Sequence, residues 1–175
     1  IISDSQRAPS SQNMQPTRFF IVESNEAKEK LRPVLLGNQM QLETSSAMIC
    51  LFADMKKFDK AKSIYQKAVS AGYMPQEVMD RQLNSFFEKD PYANKDAYKS
   101  AVILDGGLIA QQFMLVAKTY GYDTCAIGGF RKDAINEALG ISDQYLPLLI
   151  VSIGKAAEQG FTSVRLDTED ITHFL

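Results

Sequence analysis

Ala8-Pro9-Ser10-Ser11-Gln12-Asn13-Met14-Gln15-Pro16, followed at once by Thr17-Arg18-Phe19-Phe20-Ile21-Val22, is the stretch on which the fold turns. The first nine residues carry two prolines, two hydroxyls and three side-chain amides, and no charge. Such a segment is poor core material. Its prolines restrict the backbone, and its neutral donors and acceptors suit a planar, heteroatom-rich ring that must be met at set positions without charge. Ser, Asn and Pro are also ordinary turn residues, so the same loop read alone is a turn between a helix and a strand. The six residues after it are apolar and β-type. They predict a strand over 17–23 with Phe19, Phe20, Ile21 and Val22 as a buried run.

Working outward, Asn25 can cap a helix that begins at Glu26, Pro33 should disturb its later part, and Gly37-Asn38 ends it. Ala47 to Ala53 reads as a second buried strand. A helical region follows, with Phe58, Ala61, Ile64, Tyr65 and Ala68 on one face and Lys56, Lys57, Lys60, Lys62 and Lys67 mostly on the other. Gly72 punctuates, Pro75 suits the first turn of the next helix, and Met79, Leu83, Phe86 and Phe87 mark its buried side. Residues 89–94 form a connector. From about 97 to 120 the chain is helical again, and its second half is apolar almost all round. Such a helix belongs at the centre of a domain or at a subunit interface. Gly106-Gly107 within it imply close approach by another backbone or a bound group, or tight helix packing. Residues 122–130 read as a loop whose Gly128-Gly129 pair can present N–H groups without side-chain obstruction. Lys132 to Leu139 is a short helix stopped by Gly140, Leu146 to Ile153 a third buried strand interrupted by Pro147, and 168–174 a short terminal helix. The class is α+β or α/β with a small sheet. Three strands make a thin sheet for 175 residues. A fourth is expected from residues preceding Ile1 or from a second subunit.

Composition removes several functions. With 23% charged and 45% hydrophobic residues the chain is an ordinary globular domain spanning 1–175. A net charge of −2 gives no reason to expect nucleic-acid or anionic-membrane binding. Cys50 and Cys125 lie far apart, have no metal-ligand spacing and form no secreted disulfide framework. With no signal peptide and no stretch read as a bilayer span, a reducing cytoplasm is the default. The single histidine, His173, lies close to the end of the sequence, which weakens any Ser–His or Cys–His nucleophile scheme and any His-based metal site. Gly128-Gly129 lacks the rest of a phosphate loop. Carboxylates read as solvated helix faces with no catalytic pair. Arg165 stands alone in an acidic stretch and, read locally, pairs with Asp167 or Glu169.

Three segments combine to a resemblance. The Ala8-Pro9-Ser10-Ser11-x-Asn13-x-Gln15-Pro16 loop before a strand, the buried helix running into Gly121-Tyr122-Asp123-Thr124 and Ile127-Gly128-Gly129, and Leu146-Pro147 leading to Ile153-Gly154-Lys155 and Arg165-Leu166 resemble, in order and spacing, the nitroreductase family of FMN-dependent oxidoreductases. The resemblance covers essentially the whole chain. It implies an α+β three-layer sandwich with a small central mixed sheet, and a segment-exchanged homodimer holding one FMN in each of two interface sites. Pro9, Ser10, Ser11 and Asn13 would lie against the flavin bound mainly by the other subunit, with Gln15 helping to hold the loop. Asn38 and Gln41 would reach the isoalloxazine edge. Ile127, Gly128 and Gly129 would place backbone groups near N5 and O4, and Arg165 would bind the phosphate. Gln41 stands where some members have lysine, and Ser163 where some have a second phosphate-binding cation.

The implied chemistry is a ping-pong cycle. NADH or NADPH gives hydride to the flavin and leaves, and a nitroaromatic, quinone or similar acceptor then takes its place. The helices from Lys57 to Asn94 would cover the pocket, with Phe86, Phe87 and Tyr92 setting acceptor size or packing the core. A phosphate monoester is usually met by more than one cation. A phosphate-binding arginine is therefore expected before Ile1, where the resemblance places an Arg-rich segment. The alternatives are an FMN-binding or redox-sensing module without nicotinamide turnover, and another FMN enzyme on the same scaffold, such as a dehalogenase-like or flavin-degrading one.

Overall fold

The computed structural model describes residues 1–175. The chain order is α1 (Ile2–Ser5), β1 (Thr17–Val22), α2 (Asn25–Leu31), α3 (Gln39–Thr44), β2 (Ala47–Asp54), α4 (Ala61–Ser70), α5 (Gln76–Phe87), α6 (Lys95–Thr119), β3 (Asp123–Ile127), α7 (Ile135–Leu139), β4 (Tyr145–Gly154) and α8 (Thr168–Ile171). The strands form one sheet in the order β1-β2-β4-β3.

Strand β2 is the centre of the molecule, and all eight of its residues are buried. Its alternation sorts the two faces. Ala47, Ile49 and Leu51 pack with Ala110, Phe113 and Ala117 of α6. Met48, Cys50 and Phe52 pack with Leu31, Leu42 and Ile135, from α2, α3 and α7. The result is the expected three-layer α+β sandwich. A third cluster, around Phe58, Tyr65, Met79, Phe86 and Tyr98, joins α4 and α5 to the first half of α6.

The sheet is antiparallel throughout rather than mixed. Helix α6, roughly 37 Å long at 1.5 Å per residue, carries the chain from one end of the sheet to the other. Strand β3 therefore runs in the same direction as β2, but β4 lies between them and opposes both. The fourth strand comes from within the chain: residues 123–127, read as loop, pair with β4 from Asp123↔Gly154 to Ile127↔Ile150. Pro147 is accommodated at a register shift, where Leu51 faces Leu149 and Phe52 faces Pro147.

Several boundaries differ from the sequence reading. Ser24, not Asn25, caps α2, accepting from Ala27 N at 3.2 Å. Pro33 lies in a 3-10 turn after that helix. Gly37-Asn38 does not end it but precedes α3, which the sequence reading lacked. Only Val22 of the β1 run is fully buried, because β1 is an edge strand. Pro75 is the cap of α5, outside its first turn, and Phe87 is largely exposed. Helix α7 begins at Ile135 instead of Lys132. By length and composition α6 could cross a membrane, contrary to the sequence reading. Here it lies along the sheet as a core helix, and Gly106 lets it approach β4: a Cβ there would overlap Leu148 Cδ1. Gly107 faces open space.

Candidate functional site

The loop before β1 is held in a costly conformation. Gln12, Asn13 and Gln15 have φ of 55°, 59° and 48°, and the only other non-glycine residue with positive φ is Asn38 at 59°. Each left-handed residue costs about 1–2 kcal/mol, so contacts must hold the segment in place. Asp105 Oδ1 of α6 accepts from Ser11 N at 2.8 Å. Tyr65 Oη of α4 donates to the Gln12 carbonyl at 3.0 Å. Gln15 N donates to Ser10 Oγ, and Gln15 Nε2 to the Asn13 carbonyl, both at 3.0 Å. Arg18 Nη1 donates to the Gln15 carbonyl at 2.8 Å. Met14 and Pro16 are buried beneath. The side chains of Ser11, Gln12 and Asn13 stay exposed above this base. A cavity of about 100 Å³ lies behind the loop, lined in part by Ser10, Gln15, Asp105 and Ile109.

Beneath the loop is a charged pair that the sequence reading missed. Lys57 Nζ lies 3.7 Å from Asp105 Oδ2, with the two side chains only 2% and 4% exposed. The ammonium lies 5.4 Å and 5.3 Å from the ring centroids of Phe58 and Tyr98. Burial pushes the Lys57 pKa below its ordinary value, and Asp105 partly opposes the shift. Burial also pushes Tyr98 up to about 12, against a hydrogen bond from Lys57 N. The available signal was Asp105 itself, a lone charge inside an apolar helix. Lys57 gave none, because it reads as one of a solvated row.

A second group of residues gathers at the β3 edge. Leu35 bridges to Phe130. Leu36 N donates to Gly129 O, and Arg131 N to Val34 O, both at 2.9 Å. These bonds lay residues 34–36 along 129–131 and bring Asn38 towards Ile127, Gly128 and Gly129. Ile127 buries its side chain. Gly128 and Gly129 are exposed, with no atom within 4 Å of either missing Cβ. They accept loop hydrogen bonds, from Phe130 and Leu36, and donate none. Gln41, one turn beyond Asn38, helps line an open groove of about 930 Å³ with Lys118, Thr124, Cys125 and Lys155. Lys118, 2.6 Å from Asp123, holds that exposed carboxyl below its usual range.

One chain does not unite the two groups. Strands β1 and β3 are opposite edges of the sheet, separated by three strand spacings, roughly 14 Å. Arg165 lies on the exposed tail after β4. It donates to Ser163 Oγ and Val164 O in place of a salt bridge to Asp167 or Glu169. Phe161, Val164, Leu166 and Phe174 on that tail are exposed, as are Leu104, Leu108 and Leu115 of α6. His173 is exposed, and Cys50 is core, its thiol pushed up to about 12 by burial. The two groups fit the ring of a flavin chemically: uncharged side chains on one side, free N–H donors on open glycines on the other. Arg165, the residue expected at a phosphate, is brought to neither group by one chain.

Comparison with known proteins adds the family. The sequence profile of the Nitroreductase family matches residues 1–155. YdgI of Bacillus subtilis (strain 168), provisionally named an NAD(P)H nitroreductase, is 46% identical over 178 residues, which cover 99% of this chain and 84% of YdgI. A provisionally named nitroreductase of Exiguobacterium sibiricum, crystallised in complex with FMN, is 46% identical with a TM-score of 0.94, over 99% of this chain and 83% of that one. A provisionally named NAD(P)H:FMN oxidoreductase of Staphylococcus epidermidis is 40% identical with a TM-score of 0.96, over 99% and 82%.

Proposed function

The chain belongs to the nitroreductase family, and from that premise we propose that it is an FMN-dependent NAD(P)H oxidoreductase acting as a homodimer on nitroaromatic, quinone or similar acceptors. The observation that carries the reading is the strained, uncharged loop at 10–15, clamped from α4, α6 and β1 and leaving the Ser11 and Gln12 side chains without hydrogen-bond partners. A segment ordered at such cost, with Ser11, Gln12 and Asn13 exposed above its base, is organised for a ligand.

When bound, FMN would supply the hydride-accepting ring that NADH or NADPH and then the acceptor use in turn. Pro9, Ser10, Ser11 and Asn13 give the ring a neutral wall, and Gln15 keeps Asn13 in place through its amide. Gly128 and Gly129, beside Ile127, would offer their free N–H groups to the ring edge. Asn38 and Gln41 reach the same edge, and Gln41, being neutral, adds no positive charge there. Arg165 on the tail binds the phosphate. Such chemistry needs oriented donors more than an acid–base pair, in keeping with a chain that has one exposed histidine.

The homodimer is supported by what one chain leaves undone. The two ring-facing groups sit on opposite sheet edges, the α6 face beside Pro9 exposes leucines, and the tail extends from the body. A partner subunit would bring one chain's loop to the other's β3 edge.

The test is a spectrum followed by a titration. Purified protein should show, or take up, one FMN per chain, and anaerobic NADPH or NADH should bleach it. A quinone or nitroaromatic should then restore the colour. A protein that takes up no FMN refutes the proposal. A yellow protein that neither nucleotide reduces points to a binding module instead.

A further inference from the structure

We propose that Asp105 is a positioning residue for the ring-facing loop, and that Lys57 is the buried counter-charge that lets a carboxylate serve there. The inference rests on the flavin reading above. Ser11 opens the 3-10 turn Ser11–Asn13, whose cap residue, Ser10, makes no side-chain cap bond. The first N–H of such a turn has no partner within the turn. Asp105 supplies that partner from a different element, 94 residues away, at 2.8 Å. It does what an N-cap side chain does, but it also fixes where the turn sits.

The position of Asp105 is itself fixed. The next residue, Gly106, approaches Leu148 so closely that a Cβ would not fit. The helix backbone at 105–106 is thereby held against β4, and Ser11 is referenced through it to the sheet. Asp105 Oδ2 has no hydrogen-bond partner, and its neighbour is Lys57 Nζ at 3.7 Å. That distance is too long for a strong hydrogen bond, so the pair contributes charge balance more than a directed bond. The Phe58 and Tyr98 rings flank the ammonium and keep water away. Buried ion pairs are weak contributors to stability compared with apolar replacements. A pair retained beneath a strained loop is better explained by the geometry it imposes.

The test separates positioning from folding. In K57M/D105N both charges go but the acceptor for Ser11 N remains. In K57M/D105L the acceptor goes as well. Both double variants should melt at similar temperatures. In flavin-free protein the Ser11 amide should stay protected from hydrogen exchange in the Asn variant and lose protection in the Leu variant. FMN affinity, read by quenching of flavin fluorescence, should stay within about 3-fold of the parent for the Asn variant and weaken about 10-fold or more for the Leu variant, as expected on losing a hydrogen bond to a polar acceptor. Should the Leu variant not fold, K57M/D105A against K57M/D105N makes the same comparison, because alanine removes the acceptor for Ser11 N without adding bulk. Equal FMN affinity within the pair tested, or equal Ser11 exchange in the Asn and Leu variants, overturns the proposal. A parent protein that takes up no FMN overturns the flavin reading instead, while the Ser11 exchange still decides whether the tether exists.

Discussion

Asp54 should be the most costly surface-adjacent carboxylate to remove. It closes β2 and is 4% exposed. Oδ1 accepts from Lys56 N at 3.0 Å and from Gln144 Nε2 at 2.9 Å, and Oδ2 accepts from Arg18 Nη2 at 2.9 Å. It therefore ties β1, the end of β2 and the approach to β4 at one point. Hydrogen bonds to a charged group contribute about 1.5–3 kcal/mol each, but Arg18 is 32% exposed and water can take over part of its share. Asp54→Ala should then lower the unfolding free energy by about 3 kcal/mol, and Asp54→Asn, which keeps the Oδ1 acceptor, by about 1.5 kcal/mol. For a domain of this size the alanine change corresponds to a fall in Tm of roughly 6–12 °C. The assay is urea unfolding at one protein concentration without added flavin. Because Arg18 also holds the Gln15 carbonyl, the alanine variant should expose the 10–15 loop to limited proteolysis before global unfolding. An alanine variant within about 1 kcal/mol of the parent, or no better off with asparagine, would refute the assignment of a three-way anchor.

Four further outcomes are expected. Cys125 should react with a thiol reagent in the native protein, and Cys50 only on unfolding. Between pH 9.0 and about 12 the folded state keeps the Cys50 proton that the unfolded chain releases. Its contribution is therefore complete below that window and falls as pH rises, by at most about 1.4 kcal/mol per pH unit, a slope that Cys50→Ala should remove in pH-dependent urea unfolding. Replacing Leu104 and Leu108 together by lysine should shift sedimentation from dimer to monomer, because each leucine buried in an interface contributes about 1.5–3 kcal/mol and there would be four per dimer. An unchanged dimer would exclude that α6 face as the interface. Gly106→Ala should be less stable than Gly107→Ala by about 1–3 kcal/mol in urea unfolding, since both gain the same helix propensity but only the first meets Leu148. Equal stability would mean that Leu148 swings aside freely.

Much of the fold is legible in local pattern. The β1 and β2 runs and the long apolar helix are strong periodic signals, and each is present within a few residues of its expected bounds. Strand β3 was hidden because Asp123-Thr124-Cys125-Ala126-Ile127 is short and mixed, and it is a strand only because β4 offers it an edge. Helix α3 was hidden because Asn38 enters it from a left-handed conformation that looks like a stop. The 10–15 loop announces itself through neutral polar residues between prolines, but the partners that clamp it, Asp105, Tyr65 and Arg18, come from separate parts of the chain.

By itself, the sequence determined most of the elements, the family and the kind of chemistry, because hydrophobic period, turn residues and a few adjacent motif residues are local quantities. Tertiary structure alone decided the antiparallel sheet, the burial of Lys57 against Asp105, and the separation of the 10–15 loop and the Gly128-Gly129 group onto opposite edges. Those depend on which distant residues share a face or a hydrogen bond once α6 has crossed the sheet, and no local pattern records that.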